Sequence, residues 1–178
     1  MDLQQQFSLD ELDILRERAL RLAQVSQQRT QDIDDIALSL VVRGERFAVK
    51  LDSLTAVYED ISISRIPCTP NHVSGVANVR GRIMSVIDLG VLLDIPITEK
   101  PLSTAVIVAS NPSMVVGFAV DKVEDVIMSA DDQISAFSGD FVTLRGAFVR
   151  GILPDGTALL DMNAIMDDPS LDVNEHVD

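Results

Sequence analysis

Residues 65–93, RIPCTPNHVSGVANVRGRIMSVIDLGVLL, decide the fold. A proline-flanked loop leads into the apolar run Val73–Val79, the chain turns at Arg80-Gly81, and a second apolar run follows at Ile83–Ile87. A tight reversal needs a residue without a Cβ, and Gly81 supplies it. The returning run is apolar on both faces, as expected of a strand lying inside the protein. Asp88 then reads as the N-cap of a short helix, its carboxylate accepting from free backbone N–H groups. The stretch holds no obvious catalytic group.

It occurs twice. Gly75-Val76-Ala77-Asn78-Val79-Arg80-Gly81 is echoed by Gly146-Ala147-Phe148-Val149-Arg150-Gly151, with offsets of 71 for the first glycines and 70 for the second. Phe47-Ala48-Val49 is echoed by Phe118-Ala119-Val120 at an offset of 71, and Asp88 with its Leu89–Leu93 tail by Asp161 and Met162–Met166 at 73. The longer last offset fits the Pro154-Asp155-Gly156 turn, read here as an addition without a counterpart in the first copy. A near-constant offset implies two similar subdomains, about 36–100 and 101–166, of roughly 60 to 70 residues each. Each alone would bury too little surface to be stable, so the two should pack together.

The rest of the chain supports β structure. Further strand-like runs are Ile36–Val42, Phe47–Leu51, Leu54–Tyr58, Thr104–Ala109, Met114–Val120, Val123–Ile127, Leu144–Val149 and Ala158–Leu160, separated by glycine and proline breakers. Gly44, in Arg43-Gly44-Glu45-Arg46, permits a hairpin turn. Hydrophobic residues make up 47% of the chain and aromatics 4%, without tryptophan, so the core is built from Val, Ile, Leu and Ala. The fold class is mainly β: two packed barrels, each followed by a short helix.

Residues 1–35 differ in texture. Ser8 and Glu11 have the spacing of a capping box, Phe7 and Leu12 that of a hydrophobic staple, and Leu12, Leu15, Ala19 and Leu22 recur at helical spacing. The stripe either packs on the body of the protein or is presented to a partner or second copy. Ser26–Asp35 is a polar linker, and 169–178 an acidic C-terminal tail.

A net charge of −14 disfavours nucleic acid and anionic lipid as direct partners. No apolar run approaches the roughly 20 residues that span a bilayer, and the N-terminus lacks a signal-peptide pattern. The expected location is cytoplasmic. Cys68 cannot form an intramolecular disulfide and is read as a small, partly buried residue beside Pro67. With His72, in the proline loop, and His176, in the tail, it cannot make a zinc set; no metal or cofactor is expected. A phosphate loop and a nucleophile elbow are absent. A binding module is favoured over an enzyme; a hydrolase using scattered carboxylates has no nameable acid.

The stretches 65–93, 115–134 (VVGFAVDKVEDVIMSADDQI) and 149–166 (VRGILPDGTALLDMNAIM) resemble, in order, the CheW-like coupling proteins of bacterial chemosensory systems. The likeness covers about Ile36 to Met166, within a domain bounded at 36–168. It implies two five-stranded SH3-like β-barrels side by side and a non-catalytic adaptor. Implied partners are a chemoreceptor cytoplasmic hairpin, docking near the groove between barrels, and a histidine kinase regulatory domain, meeting the first barrel. Such a protein reaches the inner membrane only through receptor arrays. Carried over by position, the partner-binding residues are Gly75, Asn78, Arg80 and Gly81 on the turn, with Leu54 and Val57 on the strand beside it.

Each has a structural reading as well. The glycines serve the turn whatever binds, Arg80 could belong to an ion pair, and Leu54 and Val57 could be core. One departure stands out: relatives carry an acid between the two apolar positions of that strand, whereas this chain has Leu54-Thr55-Ala56-Val57, leaving Arg80 to find Glu59 or Asp60. Together with the added helix, through which the chain could self-associate, this motivates an alternative. In it the protein is a decoy or oligomerising scaffold in a system governing pili or gene expression.

Overall fold

The computed structural model describes residues 36–97, 104–136 and 146–171; the expected N-terminal helix and linker lie outside them, as does the tail beyond residue 171. The strands are β1 (Ile36–Val42), β2 (Glu45–Lys50), β3 (Ala56–Glu59), β4 (Ile63–Ser64), β5 (Val73–Val79), β6 (Arg82–Asp88), β7 (Ala105–Ser110), β8 (Val115–Val120), β9 (Lys122–Met128), β10 (Val149–Ile152) and β11 (Ala158–Leu160). Helices α1 (Leu89–Leu92) and α2 (Met162–Met166) follow β6 and β11. The expected bounds of β1, β5 and β11 match, and β4 was not foreseen. Leu144–Val149 is a correction. Gly146–Phe148 is a 3-10 turn and the strand begins at Val149.

Two curled sheets result. One has the order β10-β11-β2-β1-β9 and the other β3-β7-β8-β6-β5-β4. The mainly β fold of two packed units is as expected, with β4 a sixth strand in the second sheet. The boundary near residue 100 separates the repeats but does not separate the sheets. The hairpin β1–β2 joins β9, β10 and β11, while the hairpin β7–β8 joins β3, β5 and β6. Both seams are parallel, β11 with β2 and β6 with β8, whereas all other pairs are antiparallel. Each repeat has therefore handed its first hairpin to the other. Chain length between strands enforces this on one side. Only Asp121 separates β8 from β9, too short a link for a hairpin within one sheet.

Register shows which residues correspond, and it corrects the Phe47–Phe118 echo, since Phe118 takes the place of Val49. Leu38 faces Val49 and Val126, as Ile107 faces Phe118 and Val57. Gly75 lies opposite Val86 after a bulge at Val73, and Gly151 opposite Leu159 after a bulge at Val149. Gly151 is thus the partner of Gly75, not of Gly81. The Pro154-Asp155-Gly156 turn does have a counterpart, the Arg80-Gly81 turn.

The exchange organises the core. Each sheet wraps a small cluster of its own, around Val86, Val106 and Val108 in one and Ala48 and Leu159 in the other. The largest cluster is shared: Leu40, Phe47 and Val49 from one sheet meet Ile87, Ile107 and Phe118 from the other, with Leu89 of α1 and Ile165 of α2. Phe118 is 0% and Phe47 1% exposed. Leu171, in a 3-10 turn at Pro169–Leu171, also packs there, a correction to the expectation that the tail begins at 169.

Candidate partner-binding surface

The β5–β6 hairpin gathers four of the six expected residues. Gly75 is buried with φ +140°, and a Cβ there would lie 2.7 Å from the Ser64 carbonyl carbon, so only glycine lets β4 close on β5. Val79 pairs with Arg82, leaving Arg80 and Gly81 as a two-residue loop with φ of 51° and 81°. Positive φ at both positions is the type I′ requirement, matching the twist of the strands. The Gly81 N–H donates to Asn78 Oδ1 at 3.0 Å, which fixes the tip.

Arg80 is exposed and, among the described residues, makes no hydrogen bond or ion pair; the expected pairing with Glu59 or Asp60 does not form. Arg82 beside it is exposed and likewise unpaired among them. Ile83, directly across from Asn78, is 76% exposed. The tip thus presents cations next to a bare aliphatic side chain, on a protein of net charge −14.

Leu54 and Val57 lie on no strand hydrogen-bonded to this hairpin, although Ala56 and Tyr58 share a cluster with Val79, next to the turn. Strand β3 is a sheet edge, separated from β6 by β7 and β8. Leu54 precedes β3 and packs, half-buried, on the shared core. Val57 is 38% exposed at the edge. Ala56 is partly buried and packs against the small cluster around Val86, so an acid there would press a carboxylate against apolar side chains.

Asp88 caps α1, accepting from the Val91 N–H at 2.9 Å, and Asp161 caps α2 in the same way from Asn163 and Ala164. Both expectations hold. Unforeseen is a second role for Asp88, which accepts from Arg43 at 3.3 Å across the boundary between the sheets. The residues are 45 positions apart, beyond any local signal. His72 lies in a packed loop, its carbonyl accepting from the Asp88 N–H. Cys68 is exposed, a correction to the expected partial burial; it lies at φ 61° in the proline loop, which lines an open groove.

An open groove of about 740 Å³ runs between that proline loop and the seam of the sheets. Arg65, Ile66, Cys68, Pro70 and Asp88 come from one sheet and its proline loop; Val42 and Arg43 come from the other. Ile66 and Ile97 stand exposed at its margin. The lining mixes polar and apolar groups, and its Arg43 and Asp88 are paired with each other. Among the described residues no group of three His, Cys, Asp or Glu could hold a metal, and no helix is long and apolar enough to cross a membrane.

Elsewhere two carboxylates are held below their ordinary range. Hydrogen bonds from Lys122 and then Arg46 lower Glu124. Asp155 is lowered chiefly by the Thr157 backbone N–H, 2.9 Å away, with help from the Thr157 hydroxyl.

Comparison with known proteins adds to the geometry. The CheW-like domain model matches residues 37–170. A chemotaxis protein CheW from Thermotoga maritima is 33% identical over 97 residues, covering 54% of this chain and 64% of that protein, a little under two thirds of its length. One from Klebsiella aerogenes is 29% identical over 139 residues, covering 78% and 84%. The crystal structure of the scaffolding protein TtCheW from Thermoanaerobacter tengcongensis superposes with a TM-score of 0.66 at 25% identity, covering 77% of this chain and 95% of that one.

Proposed function

The chain belongs to the CheW-like domain family, and from that membership we propose that it is a non-catalytic scaffold of a chemotaxis-type signalling system. In this reading it couples the cytoplasmic hairpin of a chemoreceptor to the regulatory domain of a histidine kinase. The observation that carries it is the β5–β6 tip. An arginine held out on a rigid turn, with no partner in its own fold among the described residues, is a group kept for another molecule. Apolar contact at Ile83 would supply affinity, and the two arginines would set orientation against an acidic surface.

The kinase domain is assigned to this tip and the receptor hairpin to the groove, whose mixed lining suits one face of an amphipathic helix. Val57, on the open edge of the same sheet, belongs to the outer surface, and Leu54 is half-buried on the shared core. The protein then works in the cytoplasm and meets the membrane only through receptors. Nothing among the described residues favours the decoy reading.

The test is capture of purified kinase regulatory domain and receptor hairpin by this protein. Binding both supports the proposal, and binding neither rejects it. Arg80→Ala should weaken kinase-domain binding by about tenfold or more, ~1.4 kcal/mol. A melting temperature lowered in step with lost binding would assign Arg80 to the fold instead.

A further inference from the structure

Arg43 occupies a place that the adaptor reading does not use. It sits on the β1–β2 turn, at φ 51°, yet its side chain is only 10% exposed. The guanidinium donates to both oxygens of Asp88, at the end of β6 in the other sheet, and to the carbonyl of Ile95 beyond α1. The fork thus grips two points of one sheet from a turn of the other. Arginine suits this because its planar donors can serve a carboxylate and a carbonyl together.

The space for that arm comes from Gly90, in α1. A Cβ at Gly90 would lie 2.7 Å from Arg43 Cδ and nearer still to Nε, so any larger residue would evict the arginine. The turn itself is held independently. The Gly44 N–H donates to Asp121 Oδ2 at 3.0 Å, and the Asp121 N–H to the Val41 carbonyl at 2.9 Å. Removing the arginine arm leaves the backbone of the turn anchored.

Arg43 and Asp88 both line the groove, whose walls belong to different sheets. We propose that Arg43 is the positioning residue of this groove: a clasp that holds the two sheets at one mutual angle and so fixes the groove's width. With the arginine 10% and the aspartate 37% exposed, the pair is only partly buried, and its role in this proposal is to fix an arrangement, not to add net stability. The groove's use by a receptor hairpin rests on the reading above; the clasp does not.

The test separates the two. Spin labels on Cys68, the chain's only cysteine and a groove residue, and on Asp125→Cys, exposed on β9, report the spacing of the sheets by pulsed electron resonance. The labelled parent should give a narrow distance distribution. Arg43→Ala and Gly90→Ala should each broaden or shift it, the double variant no further than either single one, and Arg43→Lys should restore it in part. Far-ultraviolet dichroism checks folding, and Gly90→Ala decides the matter if Arg43→Ala fails to fold. An unchanged distribution in folded Gly90→Ala, or changes that add in the double variant, overturns the clasp. In a binding arm with purified receptor hairpin, loss of binding by Arg43→Ala but not by Arg80→Ala ties the clasp to the groove. If the parent does not bind the hairpin, the partner reading fails while the distance result still decides the clasp.

Discussion

The β5–β6 and β10–β11 hairpins occupy the same place in their two sheets, yet end differently. Both follow a bulge with a buried glycine, Gly75 or Gly151, and both run into an aspartate that caps a short helix. At the second tip Asp155 turns back on Thr157, and Leu153 and Thr157 are buried, so the loop satisfies itself. At the first, Asn78 holds the turn while Arg80 and Ile83 stand out in solvent. Duplication supplied one scaffold twice, and only one copy's tip carries groups that its own fold does not consume.

The shared parts should fail most severely. Gly75→Ala combines a left-handed φ with overlap onto Ser64 backbone, so its loss in urea melts should exceed the roughly 1–3 kcal/mol of a strained φ alone. Gly151→Ala, whose Cβ would lie 2.7 Å from the Ser135 carbonyl oxygen, should also destabilise, though without the φ penalty. An innocuous Gly75→Ala would break the equivalence of the bulges.

The caps come next and should already differ. Asp161→Ala should cost about 1 kcal/mol, the usual loss of an N-cap. Asp88→Ala should cost more, by up to about 1–3 kcal/mol, because it also strands the buried Arg43 guanidinium. Equal losses in thermal melts would mean that Arg43 finds another acceptor at no cost.

Much of this was legible because it is local. Asp88 and Asp161 announce helices within three residues, and Arg80-Gly81 between two apolar runs announces a hairpin. What was not legible depends on distant strands. The apolar run Ile83–Ile87 reads as buried on both faces, yet Ile83 and Ser85 are exposed, so one face is covered only in part. Nothing in the run says that its neighbour is β8 of the other repeat. The echo Val149-Arg150-Gly151 also misled. By spelling Arg150 matches Arg80, but the bulge places Gly151 level with Gly75, and Arg150 sits on a strand paired with Asp131. Of the candidate site, the turn residues were readable from type I′ chemistry. The placement of Leu54 and Val57 was not, since it depends on how β7 and β8 order the sheet.

The tips themselves should separate by readout. Arg80→Ala should change unfolding free energy by no more than about 0.5 kcal/mol while reducing kinase-domain capture. Asp155→Asn should leave capture intact and lower stability slightly. The smallest effect is in pH. The Asp155 carboxyl is depressed in the folded protein, so it stabilises the fold above its unfolded pKa and that contribution is lost as pH falls through the depressed value. Asp155→Asn should flatten the acid limb of a stability–pH curve by a small amount, and an unaltered limb would show that the Thr157 bonds do not persist in solution.

Reciprocal hairpin exchange is what makes two undersized sheets into one folding unit, and native-state hydrogen exchange under rising urea tests it directly. Core amides of β1 and β2 from the first repeat, and of β8 and β11 from the second, should merge into one opening with a common free energy and urea dependence. Two separate openings, one for β10-β11-β2-β1-β9 and another for β3-β7-β8-β6-β5-β4, would contradict the account.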